Sequence, residues 1–244
     1  MSKIFQPRLR MFAGPNGSGK STMKSVIKAE LLGIYINPDD IEREIKKMDY
    51  LDLKPYQVKT TREEILTYFH NSTLLVNAGL NFEALELRFI DDQLDFYGVH
   101  VNAYFASVAA DFIRQKLIET KKPFTFETVM SSPDKVELLK KAQEAGFRTY
   151  LYYVATEDPD INISRVKHRV KTGGHNVPKD KIIARYYRSL DLLLPAIKHT
   201  DRAYVFDNST TQLSWLAEIT DGQSLEIKSE YIPTWFNKYV LDKI

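Results

Sequence analysis

Residues 14–21 combine three glycines, a lysine and a serine at a spacing that suits phosphate binding. The segment reads G-P-N-G-S-G-K-S and fits the pattern G-x-x-x-x-G-K-[ST] at every fixed position. Such glycines let backbone N–H groups approach an anion closely, and the lysine would reach the β- and γ-phosphates of a nucleotide. The hydroxyl of Ser21 would hold Mg²⁺, with Thr22 as its neighbour. The spacing therefore predicts a nucleoside triphosphate site, which we assign to ATP and Mg²⁺.

The predicted ATP site comprises the whole phosphate-binding loop (P-loop, residues 14–21) and the residue after it. Its members are Gly14, Pro15, Asn16, Gly17, Ser18, Gly19, Lys20, Ser21 and Thr22. Residues 9–13 before the loop are mostly apolar and indicate a strand, and residues 22–32 after it indicate a helix that ends at Gly33. A strand, a glycine loop and a helix in this order distinguish a P-loop from a chance glycine turn.

Two neighbouring carboxylates could assist the transfer of a phosphoryl group to a hydroxyl. Asp39 and Asp40 follow residues 34–37, a short strand-like segment, and ligands of open α/β sheets bind beyond the carboxyl ends of the strands. A carboxylate there can orient a hydroxyl and accept its proton. We predict Asp39 as this base, and Asp40 as the second candidate and a contact of the acceptor. The alternative role is a helix cap, which we expect one of the two to fill.

A third carboxylate lies on an aromatic and β-branched strand, residues 124–129. Burying Glu127 without a partner would be costly, so an acid at the end of such a strand suggests a function. It could order Mg²⁺-bound water or bind the acceptor, and Thr128 could add a hydroxyl contact. The alternative is a surface acid at the exposed end of the strand.

A basic segment at residues 160–200 is predicted to form lid helices. Arg165 and Arg169 are four residues apart and would share one helix face, where they could neutralise charge on a triphosphate. We therefore predict both as catalytic, together with Lys20 and Asp39. The pair Gly173-Gly174 could be the hinge of the lid. The alternative is a solvated basic helix without a role in the reaction.

The remaining pattern predicts the elements that position these residues. Five strands alternate with helices, which is typical of an α/β fold with a doubly wound, mostly parallel sheet. Residues 49–100 indicate a mainly helical insertion. We interpret Asp91, Asp92 and Asp95 within it as part of a solvated helix face. The tail from Gly222 to Ile244 is expected to pack back on the domain. The chain is thus predicted to be a single P-loop domain spanning residues 1–244.

Composition argues against several kinds of partner. The chain has 244 residues and a net charge of +2, from 34 basic and 32 acidic residues, so no strong field favours nucleic acid or an anionic membrane. No stretch approaches the ~18 apolar residues of a membrane helix, and the first residues lack the apolar part of a signal peptide. Cysteine is absent, which excludes disulfides and thiolate zinc sites. Together these features predict a cytoplasmic protein without a membrane partner, and the near-neutral charge argues mildly against nucleic acid.

Taken together, the motifs resemble the zeta-toxin group of P-loop kinases, and within it the branch often labelled predicted ABC-type ATPases. The resemblance covers about residues 8–210 and is carried by A-G-P-N-G-S-G-K-S-T, I-N-P-D-D, F-E-T, G-G-H-N-V-P, R-Y-Y-R-S-L and D-N-S, which begin at residues 13, 36, 126, 173, 185 and 207. The sequence has neither an L-S-G-G-Q signature nor an apolar strand ending in Asp-Glu. A transport ATPase is therefore not expected.

The resemblance implies a specific activity and a specific partner. It implies that ATP phosphorylates a sugar hydroxyl of a UDP-activated amino sugar such as UDP-N-acetylglucosamine, with Asp39 as the base and lid arginines on the ATP phosphates. It places Glu127 and Thr128 near the acceptor, and we add His175 and Arg185 of the matching lid motifs to the acceptor site. In toxin members a small antitoxin protein blocks the nucleotide site.

Two other functions remain open from the sequence. The acceptor could be another hydroxyl, such as that of NAD or another nucleotide, an antibiotic or a nucleic-acid end. The chain could also be a non-enzymatic ATP-binding switch whose lid closure is read by a partner.

Overall fold

A computed structural model describes residues 6–173 and 176–244. The strands are β1 Arg8–Ala13, β2 Ile34–Ile36, β3 Tyr50–Asp52, β4 Arg88–Ile90, β5 Gln93–Asp95, β6 Phe124–Thr128, β7 Arg148–Ala155, β8 Arg202–Asp207, β9 Ser214–Thr220 and β10 Ser224–Ile227. The helices are α1 Pro38–Met48, α2 Arg62–His70, α3 Thr73–Asn77, α4 Asn81–Leu85, α5 Ala103–Glu119, α6 Asp134–Glu144, α7 Pro159–Lys171, α8 Lys179–Asp191, α9 Leu193–Ile197 and α10 Thr234–Tyr239. Short 3₁₀ helices cover Lys20–Val26, Ala29–Leu31 and Leu241–Lys243.

The chain divides into two compact units. The first unit contains the residues up to Gly33 together with Thr125–Ile244, and the second contains Ile34–Phe124. The first unit therefore holds the P-loop, and the second holds Asp39 and Asp40.

The sheet of the first unit has a parallel centre and an antiparallel edge. Its described strands lie in the order β10-β9-β8-β7-β1-β6. β1 pairs in parallel with β7, and β7 pairs in parallel with β8, whereas β9 and β10 are antiparallel to their neighbours. In register, Ala13 lies opposite Tyr153, and Ala155 lies opposite Asp207. The carboxyl ends of β1, β7 and β8 consequently share one edge of the sheet.

Strand β1 shows why the parallel centre forms. Leu9, Met11, Phe12 and Ala13 are all fully buried. A nearly continuous apolar strand is typical of a parallel sheet that is covered on both faces, because neither face meets water. The predicted α/β fold with a mostly parallel sheet is confirmed.

The sheet is larger than the predicted set of about five strands. Sequence reading did not find β9 and β10, and assigned the second of them to the C-terminal tail. β10 is mostly exposed along its length, whereas β9 has three buried apolar residues, Leu216, Ala217 and Ile219. β10 is the edge strand and lacks an apolar run, and in β9 the buried apolar residues are interrupted by Glu218, so neither shows the continuous apolar pattern of the central strands. Further along this tail, Trp235 and Phe236 of α10 are buried.

The segment after the P-loop is not the α-helix that the sequence predicted. Two short 3₁₀ helices, Lys20–Val26 and Ala29–Leu31, take its place. Ser21 and Thr22 open the segment, and hydroxyl side chains compete with the backbone for its own hydrogen bonds. The first turn also has no acidic residue that would stabilise a helix amino terminus.

The second unit is built from capped helices and a small sheet. Asn37 caps α1 by accepting the Asp39 N–H at 2.9 Å, and Thr61 caps α2 by accepting the Glu64 N–H at 3.2 Å. Asn102 caps α5, the long buried helix of this unit, through the Tyr104 N–H at 2.9 Å. Each of these bonds joins residues two or three positions apart, so the start of each helix is stabilised locally.

Residues 49–100 are less helical than predicted. Besides α2, α3 and α4 they contain an antiparallel sheet in the order β3-β5-β4. Its strands have three residues each, too few to show an alternating pattern. Asp91 and Asp92 form the turn between β4 and β5 with φ values of 52° and 65°, a conformation that Asp tolerates better than most residues. They are exposed as predicted, but they lie in a hairpin turn rather than on a helix.

Among residues 6–173 and 176–244, none of the helices combines the length and the apolar character that crossing a bilayer requires.

Candidate functional site

The P-loop follows β1 and is held close to the sheet edge. Ser18 is fully buried and its N–H donates to the Pro15 carbonyl at 3.2 Å, which closes a tight turn inside the loop. Gly17 and Gly19 have φ values of 75° and 104°, in the region that favours glycine. Both glycines therefore adopt the positive φ values that the glycine spacing of the loop predicts.

Lys20 lies across the opening of the loop. Its ammonium group donates to the carbonyl oxygens of Gly14 at 2.8 Å and Pro15 at 2.9 Å. Ser21 and Thr22, which follow it, are exposed. The ammonium charge is therefore placed at the loop itself, where a phosphate group would bind.

A buried polar chain reaches the loop from the lid helices. Asn162 of α7 is fully buried and donates its amide to the Asn16 carbonyl at 2.6 Å. Its amide oxygen accepts the hydroxyl of Thr156, which follows β7. Tyr186 of α8 donates in turn to the Thr156 carbonyl at 2.6 Å. Burial, and next the nearby Glu157 carboxylate, raise the pKa of Tyr186, so its hydroxyl keeps its proton at neutral pH.

A second asparagine reaches the loop from the end of β8. Asn208 donates its amide to the Ser18 carbonyl at 2.8 Å. The neighbouring residues fix its position: Asp207 accepts the Ser209 N–H at 2.9 Å and the indole N–H of Trp235 at 2.8 Å. The residues after β1, β7 and β8 thus form one hydrogen-bonded group, as expected for strands whose carboxyl ends share an edge.

The lid arginines differ in their surroundings. Arg165 is half-buried and donates one guanidinium nitrogen, Nη2, to the Thr210 carbonyl at 3.1 Å. Its other terminal nitrogen, Nη1, is buried and has no hydrogen-bond partner among the described residues. A buried cationic donor without an acceptor is costly, and an anionic ligand would satisfy it. Arg169 is exposed on the same helix, and Arg185 is half-buried on α8.

The two lid helices are held together by their own apolar cluster. Ile163 and Val166 of α7 pack with Ile182 of α8 and with Val177 between the helices. Gly173 follows α7 with a φ of 88° and open space around it. Of the predicted hinge and acceptor residues in this lid, Gly174 and His175 lie outside the described residues.

Glu127 and Thr128 occupy the end of β6, the neighbour of β1 in the sheet. Glu127 is buried, with 7% of its surface exposed, so it is not the exposed strand-end acid that we considered as the alternative. The Thr128 hydroxyl accepts the Met130 N–H at 3.0 Å, and Met130 has a φ of 52°. The strand therefore ends in a fixed turn.

Asp39 and Asp40 occupy the first turn of α1 in the second unit. The cap of this helix is Asn37, so neither aspartate fills the capping role that we expected for one of them. Asp40 forms an exposed ion pair with Arg43 at 2.9 Å. The exposed Asp39 carboxylate makes neither a hydrogen bond nor an ion pair with any residue that the structure describes. Of the two, Asp39 keeps its carboxylate available.

The donor set suits Mg²⁺ bound with a nucleotide better than a metal held by the protein alone. Within the described part of the chain, no three His, Cys, Asp or Glu side chains are grouped to hold a metal ion. Mg²⁺ in triphosphate sites takes only one or two protein ligands and keeps waters and phosphate oxygens for the rest. The exposed Ser21 hydroxyl is a suitable ligand of that kind.

Sequence reading missed the contacts of Asn162 and Asn208 with the loop. Asn162 stands between two isoleucines near the start of α7, and an amide in an apolar setting is a signal for a buried polar contact. Asn208 belongs to the D-N-S motif, which contributes to the resemblance but assigns no contact to the asparagine. Neither signal identifies the loop as the partner, because the contacts span 146 and 190 residues.

The comparison with protein families finds a match for the part of the chain that contains the lid helices. Residues 95–215 match the Zeta toxin family model. Over this segment, which is just under half of the chain, the protein is similar to the zeta toxin family. The zeta toxin match contains β6, the lid helices and both asparagines, and it begins after the P-loop and Asp39.

Solved structures share the fold at low sequence identity. AvrRxo1-ORF1:AvrRxo1-ORF2 with sulphate ions matches at a TM-score of 0.54 and 13% identity, over 96% of this chain and 63% of that chain. AvrRxo1-ORF1:-ORF2 with ATP matches at a TM-score of 0.53 and 14% identity, over 98% of this chain and 63% of that chain. The zeta toxin match and these structures together identify a kinase-like P-loop fold.

One relative is similar in sequence over a short segment. An uncharacterized protein of Haemophilus influenzae is 36% identical over 63 residues, which are 26% of this chain. This chain spans 45% of that relative and 63% of the two solved chains.

Proposed function

We propose that the protein is an ATP-dependent kinase that transfers the γ-phosphate to a sugar hydroxyl of a UDP-activated amino sugar such as UDP-N-acetylglucosamine. The observation that carries the proposal is the arrangement at the P-loop. Lys20 lies across a loop of the required backbone conformation, and the buried Arg165 Nη1 lacks an acceptor among the described residues. Both cations suit a triphosphate, and the matched structure with ATP supports this ligand.

The proposal gives each group one task. Lys20 and Arg165 would offset the charge on the transferred phosphoryl group, and Arg169 would add to this from the same helix. The exposed Asp39 carboxylate would accept the proton of the acceptor hydroxyl while the hydroxyl oxygen bonds to phosphorus and ADP leaves. Mg²⁺, when bound with ATP at Ser21, would neutralise phosphate charge and orient the phosphate oxygens.

The contacts to the acceptor are proposed from the sequence motifs and from the burial of Glu127. Glu127 is held buried at the end of β6, where a carboxylate would bind a sugar hydroxyl or order water on the metal. Thr128, Arg185, His175 and Asp40 complete the proposed acceptor contacts. The nucleotide-sugar class itself comes from the resemblance to zeta toxins.

We also propose a protein partner for this chain and a place for it in the cell. The zeta toxin match, and the matched AvrRxo1-ORF1 structure that contains a second chain, support an antitoxin that binds this protein. The cytoplasm is the proposed location, because the sequence lacks cysteine.

A phosphate-transfer assay tests the function directly. Purified protein, Mg²⁺ and γ-labelled ATP would be incubated with UDP-sugars, NAD, nucleosides and DNA ends, with Lys20→Ala and Asp39→Ala as controls. We expect label on a UDP-amino sugar, lost in both variants. Label on NAD or another hydroxyl would replace the acceptor and keep the kinase. ATP binding without transfer to any acceptor would overturn the kinase in favour of a binding switch.

A further inference from the structure

We propose that Asn162 and Asn208 are positioning residues that set the direction of the P-loop N–H groups. Their side-chain amides, which we call the asparagine clamp, hold the carbonyls of Asn16 at 2.6 Å and Ser18 at 2.8 Å. The inference rests on the proposed ATP site and adds the two hydrogen bonds that keep this site in its binding conformation.

The clamp acts through the geometry of the peptide bond. In a planar trans peptide, the carbonyl of one residue and the N–H of the next point in opposite directions. Because the Asn16 carbonyl points to Asn162, the Gly17 N–H points away from Asn162. Because the Ser18 carbonyl points to Asn208, the Gly19 N–H points away from Asn208. The clamp thus turns two carbonyls towards the two asparagines, and it turns the N–H groups that follow them away from the asparagines.

The two N–H groups are available for a ligand. Neither the Gly17 nor the Gly19 N–H donates a hydrogen bond to any of the residues described by the structure. Backbone donors that project from consecutive turns of a loop form an anion-binding concavity. A carbonyl that turned into this concavity would repel phosphate, so each clamp bond opposes a conformation that would weaken binding.

The glycines at these two positions fit the clamp closely. A Cβ added to Gly17 would lie 2.7 Å from the Asn162 carbonyl oxygen, and one added to Gly19 would lie 2.3 Å from the Asn208 amide nitrogen. Both contacts are shorter than side chains tolerate. The two clamp residues therefore approach the loop at the glycines whose N–H groups they orient.

The clamp bonds are anchored independently of each other. Asn162 is fully buried and its amide oxygen is held by Thr156. Asn208 is half-buried and follows Asp207, which is fixed by Ser209 and Trp235. Since the two anchors lie on different elements, removing one asparagine leaves the other bond intact.

The test measures binding of ATP in the presence of Mg²⁺ by calorimetry, without any acceptor. The variants are Asn208→Ala, Asn208→Asp and Asn162→Ala. Their matched controls are Thr211→Ala and Ser164→Ala, which remove exposed side chains close to each clamp residue. Each lost hydrogen bond is expected to weaken ATP affinity about three- to tenfold, and the controls are expected to bind like the wild type.

Asn208→Asp separates positioning from packing. Aspartate keeps the shape of asparagine but has no amide donor, so it faces the Ser18 carbonyl with an acceptor. We expect it to weaken ATP binding at least as much as Asn208→Ala. Hydrogen exchange should also increase within residues 14–22 while the melting temperature of Asn208→Asp stays close to that of the wild type.

Three results would overturn the clamp. One is wild-type ATP affinity in both Asn208 variants. The second is a lowered melting temperature with unchanged affinity in folded protein, which would reduce the asparagines to a purely stabilising role. The third is a wild-type protein that does not bind ATP, which would also remove the proposed kinase. A protein that binds ATP through the clamp but phosphorylates no acceptor would refute the kinase alone.

Asn162→Ala could fail to fold because it leaves buried groups unsatisfied. In that case the variants of the half-buried Asn208 decide the test.

Discussion

The P-loop of the first unit and the Asp39-Asp40 turn of the second are stabilised in opposite ways. The loop is held by Asn162 and Asn208, at sequence separations of 146 and 190 residues. The aspartate turn is held by Asn37 and Arg43, at separations of two and three residues. One region is therefore fixed by the folded unit as a whole, and the other by its own helix turn.

This difference matches what each region would do. Phosphate binding by backbone N–H groups requires that the loop be held in place before the ligand arrives, because reorganisation would cost affinity. A base must instead offer a carboxylate that another molecule can reach. The exposed Asp39 carboxylate, with no partner in the described part of the chain, meets that need.

The largest effect is expected from Asp39→Asn. An amide cannot accept the hydroxyl proton, so phosphoryl transfer should fall about 10²- to 10⁴-fold, the usual contribution of a general base. ATP affinity should stay unchanged, because the proposal assigns Asp39 to the acceptor hydroxyl and not to ATP. Steady-state transfer and calorimetry measure the two quantities on the same sample.

Asp40→Asn is the matched control for this comparison. It removes an exposed ion pair with Arg43 and should change transfer less than Asp39→Asn. Equal losses in both variants would assign the effect to the acidic turn as a whole and contradict Asp39 as the base.

The next effect is expected from Arg165→Ala. The variant removes the buried nitrogen that lacks an acceptor among the described residues, and a charge-assisted hydrogen bond contributes about 1.5–3 kcal/mol. ATP affinity should therefore fall roughly 10- to 100-fold. Lys167→Ala, an exposed change on the same helix, should bind ATP like the wild type. An undiminished affinity in Arg165→Ala would mean that this arginine serves only to hold Thr210.

A smaller effect is expected from Tyr186→Phe, which tests whether the buried polar chain extends to α8. The hydroxyl donates to the Thr156 carbonyl at 2.6 Å, and its loss should lower the free energy of unfolding by about 1 kcal/mol. Because burial raises the pKa of Tyr186, the difference from the wild type should be the same at pH 7 and pH 9. Denaturant unfolding measures it, with the exposed Tyr187→Phe as control. A difference that disappears by pH 9 would contradict a buried, protonated donor.

The smallest effect is expected from Glu64→Gln in the second unit. The hydrogen bond from Lys116 at 2.7 Å, and next the one from Thr60, lower the pKa of Glu64. A lowered pKa stabilises the fold above the ordinary carboxylate value, and the gain is lost as pH falls through the folded-state pKa. The pair is exposed, so the variant should lose under about 1 kcal/mol at pH 7 and less at pH 3. Thermal unfolding at both pH values checks the trend; a larger loss at pH 3 would contradict it.

The same comparison explains what the sequence predicted. The central strands and the glycine spacing of the P-loop depend on neighbours within a few residues, and the sequence predicts both. The partners of Asn162 and Asn208 depend on which strands become neighbours in the sheet, which no local pattern records. The three-residue strands β3, β4 and β5 were missed because so few residues carry no periodicity. The catalytic and acceptor roles assigned to individual residues stay predictions.

The chain contains two tryptophans, and they differ in their surroundings. Trp215 is 41% exposed, whereas Trp235 is 3% exposed and donates to Asp207, the residue before Asn208. A water-soluble quencher such as iodide should therefore suppress the emission of Trp215 and leave that of Trp235. The remaining fluorescence comes from the indole of Trp235, which is hydrogen-bonded to Asp207. The next residue, Asn208, is hydrogen-bonded to Ser18 of the loop. We therefore expect the iodide-protected emission of Trp235 to respond to nucleotide binding, which an unlabelled titration would measure.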